Sequence, residues 1–502
     1  MSCASHTGEI QSLNRGLSTH KNQTGAVLPN ARPIGGVSRF ASPAEMLVHQ
    51  LDASAELALV EQPEVGTTWR WAKTLRPDPL EKLFQKSLAV PRSLSLDWSA
   101  TCGRRVRAKQ RIPCGELLMT VESLAFESFD ANKRSSHLSW PSDCSALLCE
   151  LGFDDATLAL SIAAVQTAEA RRTVRGLMLH VPRAEEEERL QTVAAQLLSC
   201  SEDLDLDLLL RVKANLHRAL DDETASKHVG VGLYPAASLL NHSCAPCTCL
   251  SWSNRGRTLH VRAICDIEPG QEVSCSYLSE EQLYAAWGER RSMLRHAHQF
   301  EPVEPRERRQ AEEQAGMRGS ASGDGSASSD GNSAASAAAV SQIQRCVHEA
   351  VAAAQSAVRT GEPRALEGAT DGLLELIERQ LQPMLHPFHA LAQEAHVALL
   401  AVARALDEPT LVARAALHLL TAREAMLPRG TLHLASLYAA HAGAISRLLA
   451  GGDIPEPERK QAAATAMAST RAAERIRASC LGSSHPLTLG TATACTRLEG
   501  LK

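Results

Sequence analysis

The sequence predicts an α+β protein: a β-rich region interrupted by a helical insertion, then a linker, then an all-α C-terminal region of helical hairpins. Three observations carry this prediction. Short strand-like runs alternate with Pro/Gly turns from about residue 92 to 126 and return up to residue 277. Between those stretches, apolar residues recur at helical spacing. Beyond residue 341 the helical spacing is sustained in segment after segment.

In chain order, residues 1–66 lack periodicity. Up to residue 44 they hold one acidic residue, Glu9, with Arg15, Lys21, Arg32 and Arg39 among many Ser, Thr, Asn and Gly. This composition predicts a disordered N-terminal segment, with an organelle-targeting peptide as the minor alternative. A β-rich domain follows over 67–305. SLSLDWSA and RVRAKQ precede the turn Ile112-Pro113-Cys114-Gly115, and ELLMTVESLAF follows it, which predicts a small antiparallel sheet. The helical insertion covers about 127–208, with helical spacing reaching residue 220. Leu158, Ile162, Val165 and Ala168 form one face, and Leu190, Val193, Leu197 and Leu198 another. TLHVRAICDI and EVSCSYL then flank the turn Glu268-Pro269-Gly270, and a charged helix is expected near 279–297.

Residues 306–340 contain GMRGSASGDGSASSDGNSAASAAAV, which has almost no apolar bulk and is expected to be a flexible linker. In 341–502, Phe388, Leu391, Ala395, Leu399, Val402 and Leu406 form one stripe, and Leu411, Ala415, Leu419 and Ala422 begin the next. Breaks at Pro363, Pro383, Pro409, Pro428 and Gly451-Gly452-Asp453 imply short helices packed as antiparallel pairs. Such pairs fit either a tetratricopeptide-like superhelix or an ordinary bundle.

Composition narrows the function. A chain of 502 residues, 44% hydrophobic, is long enough for two or three domains with their own cores. A net charge of −5 and 3% aromatic residues argue against direct nucleic-acid binding. No apolar run approaches a membrane span, and no secretory leader is evident. A cytoplasmic and/or nuclear protein is expected. The cysteines, scattered from Cys3 to Cys495, suit reduced thiols better than a disulfide framework.

LLNHSCAPCTCL places His242, Cys244, Cys247 and Cys249 close together, as half of a zinc site would. Its surroundings point elsewhere. The stretch follows HVGVGLYPAAS and precedes a strand-turn-strand unit ending in Ser276-Tyr277. That order resembles the SET domain of lysine methyltransferases, in which N-H-S-C-x-P precedes a G-E/Q-E turn and a tyrosine. The resemblance is strongest to the SET-and-MYND family. RRVRAKQRIPCGELL, GVGLYPAASLLNHSCAP and RAICDIEPGQEVSCSYL stand in that family's order, and Leu481-Gly482 with His485-Pro486 resembles its C-terminal helical domain. The likeness covers residues 92–300 well and 341–490 loosely.

The resemblance implies a protein-lysine N-methyltransferase that uses S-adenosyl-L-methionine, with a lysine-bearing protein, histone or otherwise, as substrate. It makes Tyr277 the catalytic residue. Asn241 and His242 fall at the adenosyl end of the methyl donor, and Asn215, Gly103, Arg104 and Phe300 are further donor contacts. Cys244 then becomes a packing residue, since a small buried thiol brings no unsatisfied polar group. The C-terminal helices imply further protein partners. The chain also departs from the family. Gly103-Arg104-Arg105 stands where relatives have G-x-G, and a side chain there could block the donor. Residues 127–160 hold only Cys144 and Cys149 where a MYND finger needs paired cysteines. Glu301-Pro302-Val303-Glu304-Pro305 replaces the cysteine cluster after Phe300, so no metal is expected. These departures keep a second expectation open, a catalytically weakened SET scaffold that serves as an interaction module.

Overall fold

The computed structural model describes residues 69–70, 79–90, 93–99, 103–130, 155–177, 179–180, 206–298, 332–427, 430–452 and 456–499, with isolated positions that include Phe300. The architecture is α+β with a helical C-terminal region, as predicted. Among the described residues, those of Gly323–Leu419 form one compact unit, and those of Leu51–Ser322 and Leu420–Lys502 form a second.

After a two-residue strand, Trp69–Arg70, paired antiparallel with Leu179–His180, the second unit continues with α1 (Pro79–Ser87), β1 (Leu94–Ser99), β2 (Gly103–Ala108), β3 (Leu117–Glu122) and β4 (Ala125–Ser128). Next come α2 (Asp155–Ala164), α3 (Ala168–Arg175), α4 (Leu206–Ala214), β5 (Leu216–Leu220) and β6 (His228–Leu233). β7 (Asn241–His242), β8 (Thr248–Ser253), β9 (Thr258–Ala263), β10 (Ser274–Cys275) and α5 (Trp287–His298) complete its β-rich part. β1 and β2 pair antiparallel from Leu94↔Ala108 to Ser99↔Gly103. Two three-stranded antiparallel sheets run in the orders β8-β9-β3 and β4-β6-β5. Alternation accounts for β9: Leu259, Val261 and Ala263 are buried, while His260 and Arg262 on the opposite face are half-buried. Both predicted turns end on a left-handed glycine, Gly115 at φ +90° and Gly270 at φ +80°.

The helical face expected to run from Leu158 to Ala168 is interrupted. Thr167 is an N-cap, its hydroxyl accepting from the Ala170 N–H at 3.1 Å, so α3 starts anew and Ala168 is exposed. A local hydrogen bond overrides the longer stripe.

The C-terminal helices are α6 (Asn332–Thr360), α7 (Pro363–Leu376), α8 (Ala390–Ala405), α9 (Pro409–Met426), α10 (Leu432–Gly451), α11 (Glu456–Leu481) and α12 (Pro486–Glu499). α6 begins inside the stretch whose composition reads as a linker, because NSAASAAAV is rich in alanine, the strongest helix former. In α8 the expected stripe is real, with Ala395, Leu399 and Val402 fully buried. Pro363 and Pro409 sit in first turns, where a missing N–H is harmless, and Gly452 at φ +80° ends α10.

Composition reads 341–502 as one helical region, yet the helices from residue 420 onward fall in the unit of the sheets. Side chains explain this. Glu280 accepts from the Leu432 N–H at 3.0 Å and from the His433 N–H, so a carboxylate caps the α10 N-terminus. Tyr284 bonds Thr431 at 3.1 Å, and Arg423 lies over the Tyr284 ring at 4.6 Å. α11 packs across β8 and β9.

The N-terminal segment 1–66, Val193, Leu197, Leu198, Cys144, Cys149 and most of the linker lie outside the described residues. Among the described residues, no helix is long and apolar enough to cross a membrane.

Candidate active site

The site forms where two distant stretches meet. β7 pairs parallel with β10, Ser274 opposite Asn241 and Cys275 opposite His242. The pairing continues on either side, the Ser243 N–H donating to the Cys275 carbonyl at 2.9 Å. Tyr277 follows directly. Its N–H donates to His242 Nδ1 at 3.0 Å, and its hydroxyl donates to the Leu240 carbonyl at 2.9 Å. Main chain and hydroxyl of one residue are therefore both held by the other stretch.

Phe300 arrives from beyond α5. Ring centroids lie 5.4 Å apart for His242 and Tyr277, 6.0 Å for His242 and Phe300, and 6.2 Å for Tyr277 and Phe300. His298, in the last turn of α5, packs on Tyr277 at 5.0 Å and on Phe300 at 6.5 Å. Nothing in the sequence pattern marked His298; it reads there as one more polar residue of a charged helix. Burial raises the Tyr277 phenol above its ordinary value, with Cys275 and Glu272 adding to the effect. It stays protonated and can donate.

His242 is pushed down to about 3, first by burial and then by the neighbouring His298 and Arg290. With Nδ1 accepting from Tyr277, its Nε2–H donates to the Cys244 sulfur at 3.3 Å. Both ring nitrogens are thus engaged within the protein. The imidazole edge is occupied, and what it offers a ligand is a neutral ring face.

Asn241 ties the crossing to β2. Its Nδ2 donates to the Arg104 carbonyl at 3.0 Å and to Glu272 Oε1 at 2.8 Å. Gly103 has φ +68°, a conformation that suits glycine. Arg104 is only 7% exposed, and its guanidinium donates to the Gly176 carbonyl at 2.5 Å. Arg105 points the other way, to Asp97 at 3.1 Å. Strand alternation therefore turns the long side chain of Arg104 toward the end of α3 and presents its carbonyl to Asn241. Asn215 is held by a separate set of bonds. Buried after α4, it donates to the Arg211 carbonyl at 2.7 Å and accepts at its own carbonyl from Ser238, in the turn that precedes β7.

The four ligand-type residues of the motif diverge. Cys244 is fully buried in an apolar cluster with Leu278, Leu283 and Leu294. Cys247 faces β10, its sulfur accepting from the Ser274 N–H at 3.2 Å. Cys249 packs toward α11, near Cys480. Among the described residues, no three His, Cys, Asp or Glu side chains gather as a metal site would.

Residues 103–278 match the family model for the SET domain. Histone-lysine N-methyltransferase SMYD3 of Homo sapiens is 44% identical over 75 residues, 15% of this chain and 16% of its own length. N-lysine methyltransferase SMYD2-B of Danio rerio is 38% identical over 73 residues, 14% of this chain and 16% of its own length. The chain thus spans about one sixth of the length of these curated relatives. The solved SET domain of LSMT bound to lysine and AdoHcy aligns over 84% of this chain and 91% of its own at 12% identity, with a TM-score of 0.30. The stretch matched by the SET-domain model holds Gly103, Arg104, Asn215, Asn241, His242 and Tyr277.

Proposed function

We propose that this SET domain transfers a methyl group from S-adenosylmethionine to the side-chain amine of a lysine in a protein substrate. The observation that carries the reading is Tyr277, its hydroxyl 2.9 Å from the Leu240 carbonyl and its ring packed on His242, His298 and Phe300, next to Asn241. The relatives named above as lysine methyltransferases support it.

When bound, S-adenosylmethionine supplies an electrophilic methyl group on a cationic sulfonium. The residues suit such a group: the aromatic faces of Tyr277 and Phe300 favour a cation, and the imidazole of His242 beside them is held neutral. The main chain at Gly103 and Arg104, with Asn241 and Asn215, would hold the rest of the donor.

A lysine amine must arrive neutral, and deprotonating it at pH 7 costs roughly 4.6 kcal/mol. Burial among apolar and aromatic side chains reduces that cost by disfavouring the ammonium. Tyr277 remains protonated with its O–H given to Leu240, so its oxygen accepts from an amine N–H, leaves the nitrogen lone pair free for the methyl group, and does not act as the base. The alternative of an inactive scaffold drew in part on Arg105 replacing the family's second glycine; its guanidinium is directed to Asp97 at 3.1 Å.

Incubating the full chain with deuterium-labelled methyl donor and core histones tests the reading. Labelled methyl-lysine is expected with the wild type. Titration calorimetry provides the second arm, and absence of donor binding at millimolar concentration would leave the scaffold reading in its place.

A further inference from the structure

Away from the active site, sulfur atoms converge where α11 crosses the β8–β9 ladder. Cys249 on β8 packs, with Ile476, against the apolar cluster formed by Ile264, Cys480 and Leu481, Cys480 lying near the end of α11. Cys480 is fully buried, whereas Cys249 is half-buried and within reach of small solutes.

Arg262 is the direct cross-strand partner of Cys249. Its Nη1 donates to the Gly115 carbonyl at 3.3 Å, and its buried Nε has no hydrogen-bond partner. Gly482, just after α11, leaves room for this guanidinium: a Cβ there would stand 2.9 Å from Nη2. A cation held beside an accessible sulfur stabilises the charge that develops on it as it reacts. Cys114 is exposed nearby, but its sulfur donates to the Ser479 hydroxyl at 3.5 Å.

We propose that Cys249 and Cys480 form an oxidisable pair, with Cys249 the attacking thiolate, Cys480 the resolving thiol and Arg262 the residue that readies Cys249. The oxidant is a small hydroperoxide. The Cys249 thiolate attacks the peroxide oxygen, the O–O bond breaks, and Cys249 becomes a sulfenic acid as hydroxide leaves and is protonated. The Cys480 sulfur then attacks the Cys249 sulfur, the S–O bond breaks, and the Cys480 proton departs with the hydroxyl as water. Two thiols and one hydrogen peroxide give one disulfide and two waters. The product fastens α11 to β8, closing a covalent loop between the SET sheet and the last helices.

Full-length reduced protein, treated with hydrogen peroxide, alkylated and digested without reductant, tests this by peptide mass mapping. The expected result is one linked pair, Cys249 to Cys480, lighter by two hydrogens and reversed by dithiothreitol. Oxidation should also raise the melting temperature of the wild type but not of Cys249→Ser. Arg262→Gln should form the same link several-fold more slowly at pH 7. A Cys114–Cys480 link, a sulfinic acid on Cys249 with Cys480 still reduced, or disulfide-joined dimers through Cys249 would overturn the pairing. An unchanged rate in Arg262→Gln would overturn the role of the guanidinium. The wild-type map decides the pairing even if a variant fails to fold.

Discussion

The main-chain N–H of Tyr277 donates to Nδ1 of His242 at 3.0 Å, so the imidazole is neutral with its proton on Nε2. His217, buried beside Tyr234, is likewise pushed down to about 4, by burial and then by His298. Both rings bind protons less readily in the folded chain than in the unfolded one, where a histidine titrates near ~6.5. As pH falls, the unfolded state takes up protons first. Stability is therefore complete above about pH 6.5 and declines on the way to pH 4, by an amount on the order of a few kcal/mol. Urea midpoints across this range measure it, and the double variant His217→Gln, His242→Gln should show a flatter profile; an identical profile would remove these rings as the cause.

Tyr277→Phe removes the hydroxyl and keeps the ring against His242 and Phe300. Methyl transfer should fall by about 10² or more, the usual loss for one positioned catalytic group. Donor affinity should change little, and stability should drop by about 1 kcal/mol for the lost bond to Leu240. Calorimetry, a labelled-methyl assay and a thermal melt on the same preparation separate the three effects. Wild-type turnover in the variant would make the tyrosine structural.

Arg104 and Arg105 are adjacent and should respond differently. Arg104→Ala abandons a buried contact to the Gly176 carbonyl and leaves a space at the end of α3, a loss of about 2–3 kcal/mol. Arg105→Ala removes an exposed ion pair with Asp97 and should leave the unfolding midpoint where it was. Equal midpoints for the two variants would contradict the orientation described for β2.

Asn241 donates to a carbonyl and to a carboxylate at once. Asn241→Ala should cost about 1–3 kcal/mol in stability and weaken donor binding, since the Arg104 main chain loses its tether. Asn241→Asp should be worse at pH 7, because it sets a second carboxylate against Glu272, and the gap between the two variants should narrow in acid. A thermal shift series from pH 5 to 8 tests the order.

What the sequence disclosed and what it concealed divide along a physical line. Asn241, His242 and Tyr277 were legible because they belong to motifs in which spacing and residue type survive in the primary order. The two glycine turns, at Gly115 and Gly270, were legible for the same reason, as positive φ confines the choice of residue. Contacts set by tertiary packing were not. The bond from Arg104 to Gly176 spans 72 residues, that from Tyr277 to Leu240 spans 37, and the capping of α10 by Glu280 spans more than 150. No window of sequence contains both partners. His298 shares this property: only the path of the chain along α5 brings it to Tyr277, whereas the resemblance had named Phe300. The break at Thr167 failed for the opposite reason, a local cap interrupting an apolar rhythm that looked continuous.

The parallel pairing of β7 with β10 also fixes a moment in the life of the chain. Neither stretch can hold its half of the site alone, since Tyr277 takes both its hydrogen bonds from residues made more than thirty positions earlier. During synthesis, a nascent chain that has emerged only as far as the β8–β9 hairpin has a sheet but no place for a methyl donor. The site closes late, after long-range contacts whose loop entropy has already been overcome. The β7–β10 pairing is thus a report that this domain has finished folding, and a chain released early, short of Tyr277, would lack the candidate site however well its first strands had formed.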